Sequence, residues 1–421
     1  MELCRGPELK MKVVTSCYGR FWIFDQAYQL YRHGLLQQLI NDYPRFMTRR
    51  WGLPDDKVVS LLANGLYGRL VRRVESWLPP AIQEHLAASV HHLFSARLAR
   101  HLPAGADIFI GLSSFCLEAI QRAKELGMVA VVDHGSLHQR TERQLLLEEK
   151  ELWHLPGESQ LPPSWLINKE DAEFHAADRV MVLSQVARRS MVGEGIPAGK
   201  ILVNPCGVNL SEFRPGKKDD RVFRIIQCGG IQARKGVQYL LRAFSELKLR
   251  QAELWFIGGG LENSSLRSVI QRYRAENIHF KGSMPQNQLY KYYQQGSVFV
   301  LASIADGFGM VVPQAMACSL PVIVTENVGA ADLVTAGKTG FVIPIRDVES
   351  LKEKLLFLYE NPDLGQEMGE AASLAVKIGH TWDDYGDRLV NFLQSLPLIR
   401  PIHEPSAPGA GGGAARQAGG I

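Results

Sequence analysis

The chain has 421 residues, of which 46% are hydrophobic and 21% charged, and a formal net charge of +4. That length exceeds one ordinary core and argues for two domains, while the composition excludes a disordered chain. The small net charge gives no footprint for nucleic acid, and no apolar run approaches the roughly 18 residues that span a bilayer.

Residues 1–10 mix acid and base without an apolar signal core, so the cytoplasm is the expected compartment. The six cysteines are Cys4, Cys17, Cys116, Cys206, Cys228 and Cys318, and no two form a CxxC pair. Most of them lie in or beside apolar runs, where a thiol behaves as a small buried hydrophobe rather than half of a disulfide.

In chain order, short β-branched runs at 12–17, 107–112, 128–133, 179–183 and 201–203 read as strands. Helical stretches at 116–126 and 184–194 lie between them. This alternation argues for a parallel sheet covered by helices. The segment 21–101 is helix-rich and resists assignment. Within it, Arg45, Arg49, Arg50, Lys57, Arg69, Arg72 and Arg73 face only Asp55 and Asp56, with Phe46, Trp51 and Tyr67 interleaved. A basic, aromatic surface of this kind suits peripheral contact with an anionic membrane or an anionic lipid-linked acceptor. A solvated, salt-bridged face is the plainer account.

A charged interruption at 213–221 marks the join between halves. Beyond it, strands are expected at 223–228, 253–257, 278–281, 298–301 and 321–324. Helices are expected at 237–247, 264–273, 287–294, 311–318 and 348–359. A last helix covers 382–396, and the Pro/Gly/Ala-rich 397–421 cannot bury enough apolar surface to order, so disorder is expected there. The organisation is therefore a first Rossmann-like domain at 11–205, a second at 206–381, the returning helix 382–396 and the tail.

Four constellations fall at strand-to-helix turns, where ligands bind in open α/β sheets. The turn from Cys228 through Gly229, Gly230, Arg234 and Lys235 to Gly236 puts two cations beside glycines and a helix start, which suits a diphosphate. A Gly-rich structural turn with two solvated cations accounts for the same residues. In the second turn Asp306 precedes Gly307, Phe308, Gly309, Met310 and Val311, and Gln314 follows eight residues after the acid. Asp and Gln so spaced reach two ends of one elongated ligand, unless they are a solvated loop acid and a surface amide. His134 closes the third strand run of the first half, at the edge expected to face a cleft, although a lone His is more often packed or exposed than catalytic. The fourth turn is Gly329 to Leu333.

Together these residues resemble the retaining glycosyltransferases of family 4, whose fold is GT-B. The likeness covers most of 203–396. Asn204-Pro205-Cys206-Gly207-Val208-Asn209 is similar to the family's N-G-V-D motif, Gly229 to Gly236 resembles its G-x-L-x-x-x-K-G diphosphate loop, and Asp306 to Gln314 aligns with its E-x7-E element. The resemblance implies two facing Rossmann-like domains with parallel sheets and an interdomain cleft, the last helix crossing back to the first domain. It implies His134 and Asp306 as catalytic residues. The donor set it implies is Gly19, Gly229, Gly230, Arg234, Lys235, Gly307, Phe308, Gly309, Met310, Val311 and Gln314. The implied reaction moves a sugar from a nucleotide-diphosphate sugar to a glycan, lipid-linked or small-molecule acceptor, with no metal or other cofactor. No D-x-D element is present to hold an ion.

Three departures stand out: Gly230 replaces a common arginine, Asp306 the first glutamate and Gln314 the second. An amide still bonds ribose hydroxyls, without charge assistance, at a cost on the order of 1 kcal/mol. These departures motivate a second reading, a catalytically degenerate GT-B protein that binds a nucleotide or scaffolds a complex. An epimerase or phosphorylase of the same fold is a third.

Overall fold

The structure, a computed structural model, describes residues 11–156, 161–262 and 264–398. Thirteen strands in the described residues build two sheets, paired in parallel throughout. The first holds β1 (Val13–Cys17), β2 (Leu36–Asn41), β3 (Val58–Ser60), β4 (Ile108–Leu112), β5 (Val129–His134), β6 (Arg179–Val182) and β7 (Ile201–Val203). Their order is β3-β2-β1-β4-β5-β6-β7. The second holds β8 (Phe223–Cys228), β9 (Ala252–Ile257), β10 (Ile278–Phe280), β11 (Val298–Leu301), β12 (Val322–Thr325) and β13 (Gly340–Ile343), in the order β10-β9-β8-β11-β12-β13. Two Rossmann-like domains with parallel sheets are thus what the chain forms.

Central strands β1, β4, β5 and β11 are buried along their whole length. This is why they read as unbroken β-branched runs: helices cover both faces of a parallel sheet. β2, with the sequence LQQLIN, and the four-residue β13 did not stand out from the sequence. The helix expected over 264–273 is shorter, Arg267–Arg272, because Ser264 Oγ takes the Leu266 N–H at 3.1 Å and holds a turn there. The helix expected over 287–294 is split into a 3-10 turn, Gln286–Gln288, and an α-turn, Leu289–Tyr293. Cys17, Cys116, Cys206, Cys228 and Cys318 are free and buried. Cys4 and most of the tail expected to be disordered lie outside the described residues.

Two helices bind the domains together. Trp382–Gln394, opened by a Thr381–Asp384 capping box, lays Tyr385, Leu389 and Leu393 into the first domain's core against Phe24, Ala27 and Leu30. Its Arg388 donates to the Pro205 carbonyl at 2.9 Å and to Asn204 Oδ1 at 3.1 Å, fixing the chain between the domains. In the opposite direction, Gln139–Trp153 leaves the first sheet and docks on the second domain. Glu149, fully buried there, accepts from Arg346 Nε at 2.7 Å, Gln238 Nε2 at 2.8 Å and the Tyr239 hydroxyl at 2.8 Å.

Candidate active site in the interdomain cleft

In the second sheet the strand order reverses between β8 and β11, so the loops leaving these neighbours part and open a crevice. Those loops are 229–236 and 302–310, the two with the glycine and charge patterns. Gly229 (φ 136°) and Gly236 (φ 68°) occupy backbone conformations that side chains resist. A Cβ on Gly236 would lie 1.7 Å from the Ala302 carbonyl, so only glycine lets the first loop rest on the second. Three bonds then stitch them together. Ile304 N–H donates to the Arg234 carbonyl at 2.8 Å, Arg234 Nη1 to the Ala305 carbonyl at 2.9 Å, and Lys235 Nζ to Asp306 Oδ2 at 2.5 Å.

Burial alone would raise the Asp306 carboxyl, but Lys235 and Arg234 outweigh it and hold the group below its usual range. It is an ionised carboxylate in a sheltered place. The Lys235 stem passes Gly229, whose Cβ would stand 3.8 Å from Lys235 Cε. Gly229, Lys235 and Asp306 therefore share one corner of the crevice.

The first domain closes the other side. A Cβ on Gly307 would fall 2.2 Å from the Gly135 carbonyl and 2.5 Å from Ser136 Cα, so the two loops touch backbone to backbone. Ser184 Oγ donates to the Gly307 carbonyl at 2.7 Å and the Gln185 N–H to Asp332 Oδ2 at 2.7 Å. Arg234 Nε stands 3.7 Å from Glu142 Oε1, and Arg20 reaches Gln286 at 3.4 Å. Ser184, Glu142 and Arg20 had no place in the sequence-derived set. Ser184 alone carried a signal, as the first residue after a strand run.

Residues 210–374 match the model of the family "Glycosyl transferases group 1". That segment, most of the second domain, is where this chain is similar to the group 1 glycosyltransferases. A GDP-mannose-dependent monoacylated alpha-(1-6)-phosphatidylinositol monomannoside mannosyltransferase of Corynebacterium glutamicum is 28% identical over 46% of this chain and 56% of its own length. The chain thus spans little more than half of that relative. The putative colanic acid biosynthesis glycosyltransferase WcaL of Escherichia coli is 24% identical over 68% of this chain and 70% of its own. Among solved structures, sucrose-phosphate synthase from Thermosynechococcus elongatus superposes with a TM-score of 0.67 at 17% identity, over 91% of this chain and 98% of that one. HepE of Anabaena in complex with UDP gives 0.62 at 14% identity, over 92% and 100%. These likenesses show the GT-B fold.

Within the group 1 domain, the remaining donor candidates differ in what they offer. Phe308 is buried in the core beneath the loop, so only its backbone meets the crevice. Gly309 (φ 82°) turns the chain into the helix Val311–Ala317, with Met310 at its cap and half-buried. Gln314, buried on that helix, accepts from the Tyr293 hydroxyl at 3.5 Å. Gly230, half-buried, follows Gly229. Gly19 (φ 83°) lies in the first domain with its N–H on Asp42 Oδ1 at 2.8 Å, one residue from the cleft-bridging Arg20.

His134 departs from the expectation of a ring facing the cleft. It is 1% exposed, its Nε2 lies 3.0 Å from the Leu137 carbonyl and its Nδ1 2.8 Å from Ser113 Oγ. A carbonyl only accepts, so Nε2 carries the proton and Nδ1 accepts from the serine. Burial lowers the ring to about 4 and keeps it neutral. Glu170 Oε2, 3.9 Å from Nδ1, has no hydrogen-bond partner among the described residues, and burial lifts that carboxyl to about 8. The ring supports the floor of the cleft, and the loop that follows, Gly135–Ser136, is what meets Gly307.

The described residues contain no group of three or more His, Cys, Asp or Glu placed to hold a metal ion. No helix among them is long and apolar enough to cross a membrane. A cavity of about 1190 Å³ opens at the far, N-terminal edge of the second sheet, lined by Lys218, Ser297, Pro321 and Glu370 among others. It is remote from the switch-point loops.

Proposed function

We propose that the chain transfers a sugar from a nucleoside-diphosphate donor, held by the group 1 domain, to an acceptor held by the first domain, with retention and without a metal. The observation that carries this reading is the 2.5 Å pair of Lys235 and Asp306 where the two switch-point loops meet, one residue before Gly307, which packs on the Gly135–Ser136 loop.

In such a transfer the bond between the anomeric carbon and the β-phosphate oxygen breaks, and its electron pair leaves with the diphosphate. The acceptor oxygen becomes bonded to that carbon with its configuration kept, and the proton it gives up ends on the diphosphate. Charge thus builds on the diphosphate, and a fixed cation beside it lowers the barrier. A lysine ammonium has three donors; Asp306 engages one and leaves others for phosphate oxygens. Asp306, kept ionised, is suited to accept from a sugar hydroxyl, and Gln314 from its buried helix to a ribose hydroxyl. The spacing of Asp306 and Gln314 supports the retaining family 4 pattern. The named use of GDP-mannose by the corynebacterial relative and the UDP in HepE support the donor class.

The test is a thermal-shift screen with UDP-, GDP- and ADP-sugars, followed by turnover of the stabilising donor with and without EDTA. Stabilisation and EDTA-resistant transfer or hydrolysis are expected. Binding without turnover supports the degenerate scaffold, and no binding by any donor overturns the reading.

A further inference from the structure

We infer that the outer face of the helix Leu62–Val74 seats the protein on an anionic lipid bilayer, placing the cleft over an acceptor carried by that lipid. The acceptor half of this statement rests on the reading above; the seat itself stands on separate observations.

Leu62, Leu66 and Leu70 recur every fourth residue, so they form one stripe, and they are 40%, 62% and 59% exposed. Trp77, just beyond the helix, is 83% exposed. Arg69, Arg72 and Arg73 stand among them, exposed, and none forms an ion pair with any described residue. The helix LANGLYGRLVRRV holds no acid. The acid that Arg69 and Arg72 act on, Asp42, is buried beneath the helix, so the outer face sets open leucines beside an excess of cations. Apolar side chains interleaved with arginine match the boundary between acyl chains and acidic head groups, a boundary that an exposed tryptophan also favours. A second copy of the chain pressed on this face would set arginine against arginine, so charge complementarity selects the lipid.

The inner face ties this seat to the cleft. Asn64, Gly65, Gly68 and Val71 are buried. A Cβ on Gly65 would lie 2.6 Å from the Asp42 carbonyl, and one on Gly68 1.7 Å from the Tyr18 hydroxyl. The helix therefore lies directly on the loops that follow β1 and β2. Asp42 in turn holds the Gly19 N–H, next to Arg20, which spans the cleft to Gln286. A head group beside the helix is thus close to the first domain's side of the cleft mouth.

The experiment is co-sedimentation of the full chain with vesicles of phosphatidylcholine alone or with added phosphatidylglycerol, at rising salt. The expected result is at least tenfold stronger partitioning onto the anionic vesicles, falling as salt screens the arginines. Leu66→Glu with Leu70→Glu, and separately Arg69→Gln with Arg72→Gln and Arg73→Gln, should each reduce binding fivefold or more. Both variants should keep the parent Tm and nucleoside-diphosphate binding, since they alter only exposed side chains. Equal binding to neutral and anionic vesicles, or none, overturns the seat. So does light scattering that shows a dimer which Leu66→Glu dissociates. Loss of donor binding with intact vesicle binding would instead strike the proposed function and leave the seat standing.

Discussion

Replacing Lys235 with Met separates the stability of the site from its chemistry. The side chains of Lys235 and Asp306 are 15% and 10% exposed, so the pair is sheltered from water. Removing one partner of such a pair leaves an uncompensated charge, which typically costs about 3–5 kcal/mol. Protonation limits that cost: moving a carboxyl from its ordinary pKa to about 7 is roughly three units, or about 4 kcal/mol. At about 2–4 °C per kcal/mol for a domain of this size, the Tm of the single variant should fall by about 6–16 °C. Adding Asp306→Asn removes the stranded charge, so the double variant should recover most of the loss. Donor affinity behaves differently. A charged hydrogen bond is worth about 1.5–3 kcal/mol, so both variants should bind a nucleotide sugar about tenfold to 150-fold more weakly. Differential scanning fluorimetry and isothermal titration calorimetry read the two effects. A single variant with unchanged Tm and unchanged affinity refutes the reasoning, and a double variant that regains donor binding denies Lys235 its phosphate role.

Three further outcomes follow. Gly307→Ala places a methyl 2.2 Å from the Gly135 carbonyl, so the loops must part; a loss of about 1–3 kcal/mol and at least a tenfold fall in kcat/KM are expected, checked by thermal denaturation and kinetics. Arg346→Met strips the buried Glu149 of its cation and should lower Tm by several degrees, with Glu149→Gln in the same chain restoring most of it in a melting series. Glu170, raised by burial to about 8, holds a proton in the fold that the unfolded chain has released above about 4.3. Its contribution is therefore full at low pH and is lost as pH rises towards 8, at up to about 1.4 kcal/mol per unit. His134, lowered by burial to about 4, acts in the opposite direction but only below about 6.5. Between pH 6.5 and 8, Glu170→Gln should accordingly show a shallower fall of Tm than the parent; parallel curves contradict the burial of a protonated acid.

Much of the architecture was legible because parallel strands buried on both faces leave continuous apolar runs, as at β4 and β11. β2 was not, since its two glutamines break the run, and β13 begins on Gly340 and is followed by Pro344, turn residues that mask a strand. The helix Gln139–Trp153 is rich in glutamate and reads as a solvated surface. Its docking depends on Arg346, some two hundred residues away, which no local pattern announces. The candidate site divides in the same way. The glycines and charges at 229–236 and 306–310 were readable because each sits where a strand turns into a helix. The bond between Lys235 and Asp306 needed the reversal of strand order that brings β8 beside β11. His134 was placed correctly at a strand end, but its orientation is set by the Leu137 carbonyl three residues on and by Ser113, which only the tertiary fold brings to the ring. Arg20, Glu142 and Ser184 became visible for the same reason.

Hydrogen–deuterium exchange of the full chain, with and without a saturating nucleotide sugar, tests the convergence of the two loops most directly. Amides in 229–236 and 302–310 should gain protection together on one concentration dependence. Protection confined to the far cavity around Lys218 and Glu370, with both loops unchanged, would contradict the account.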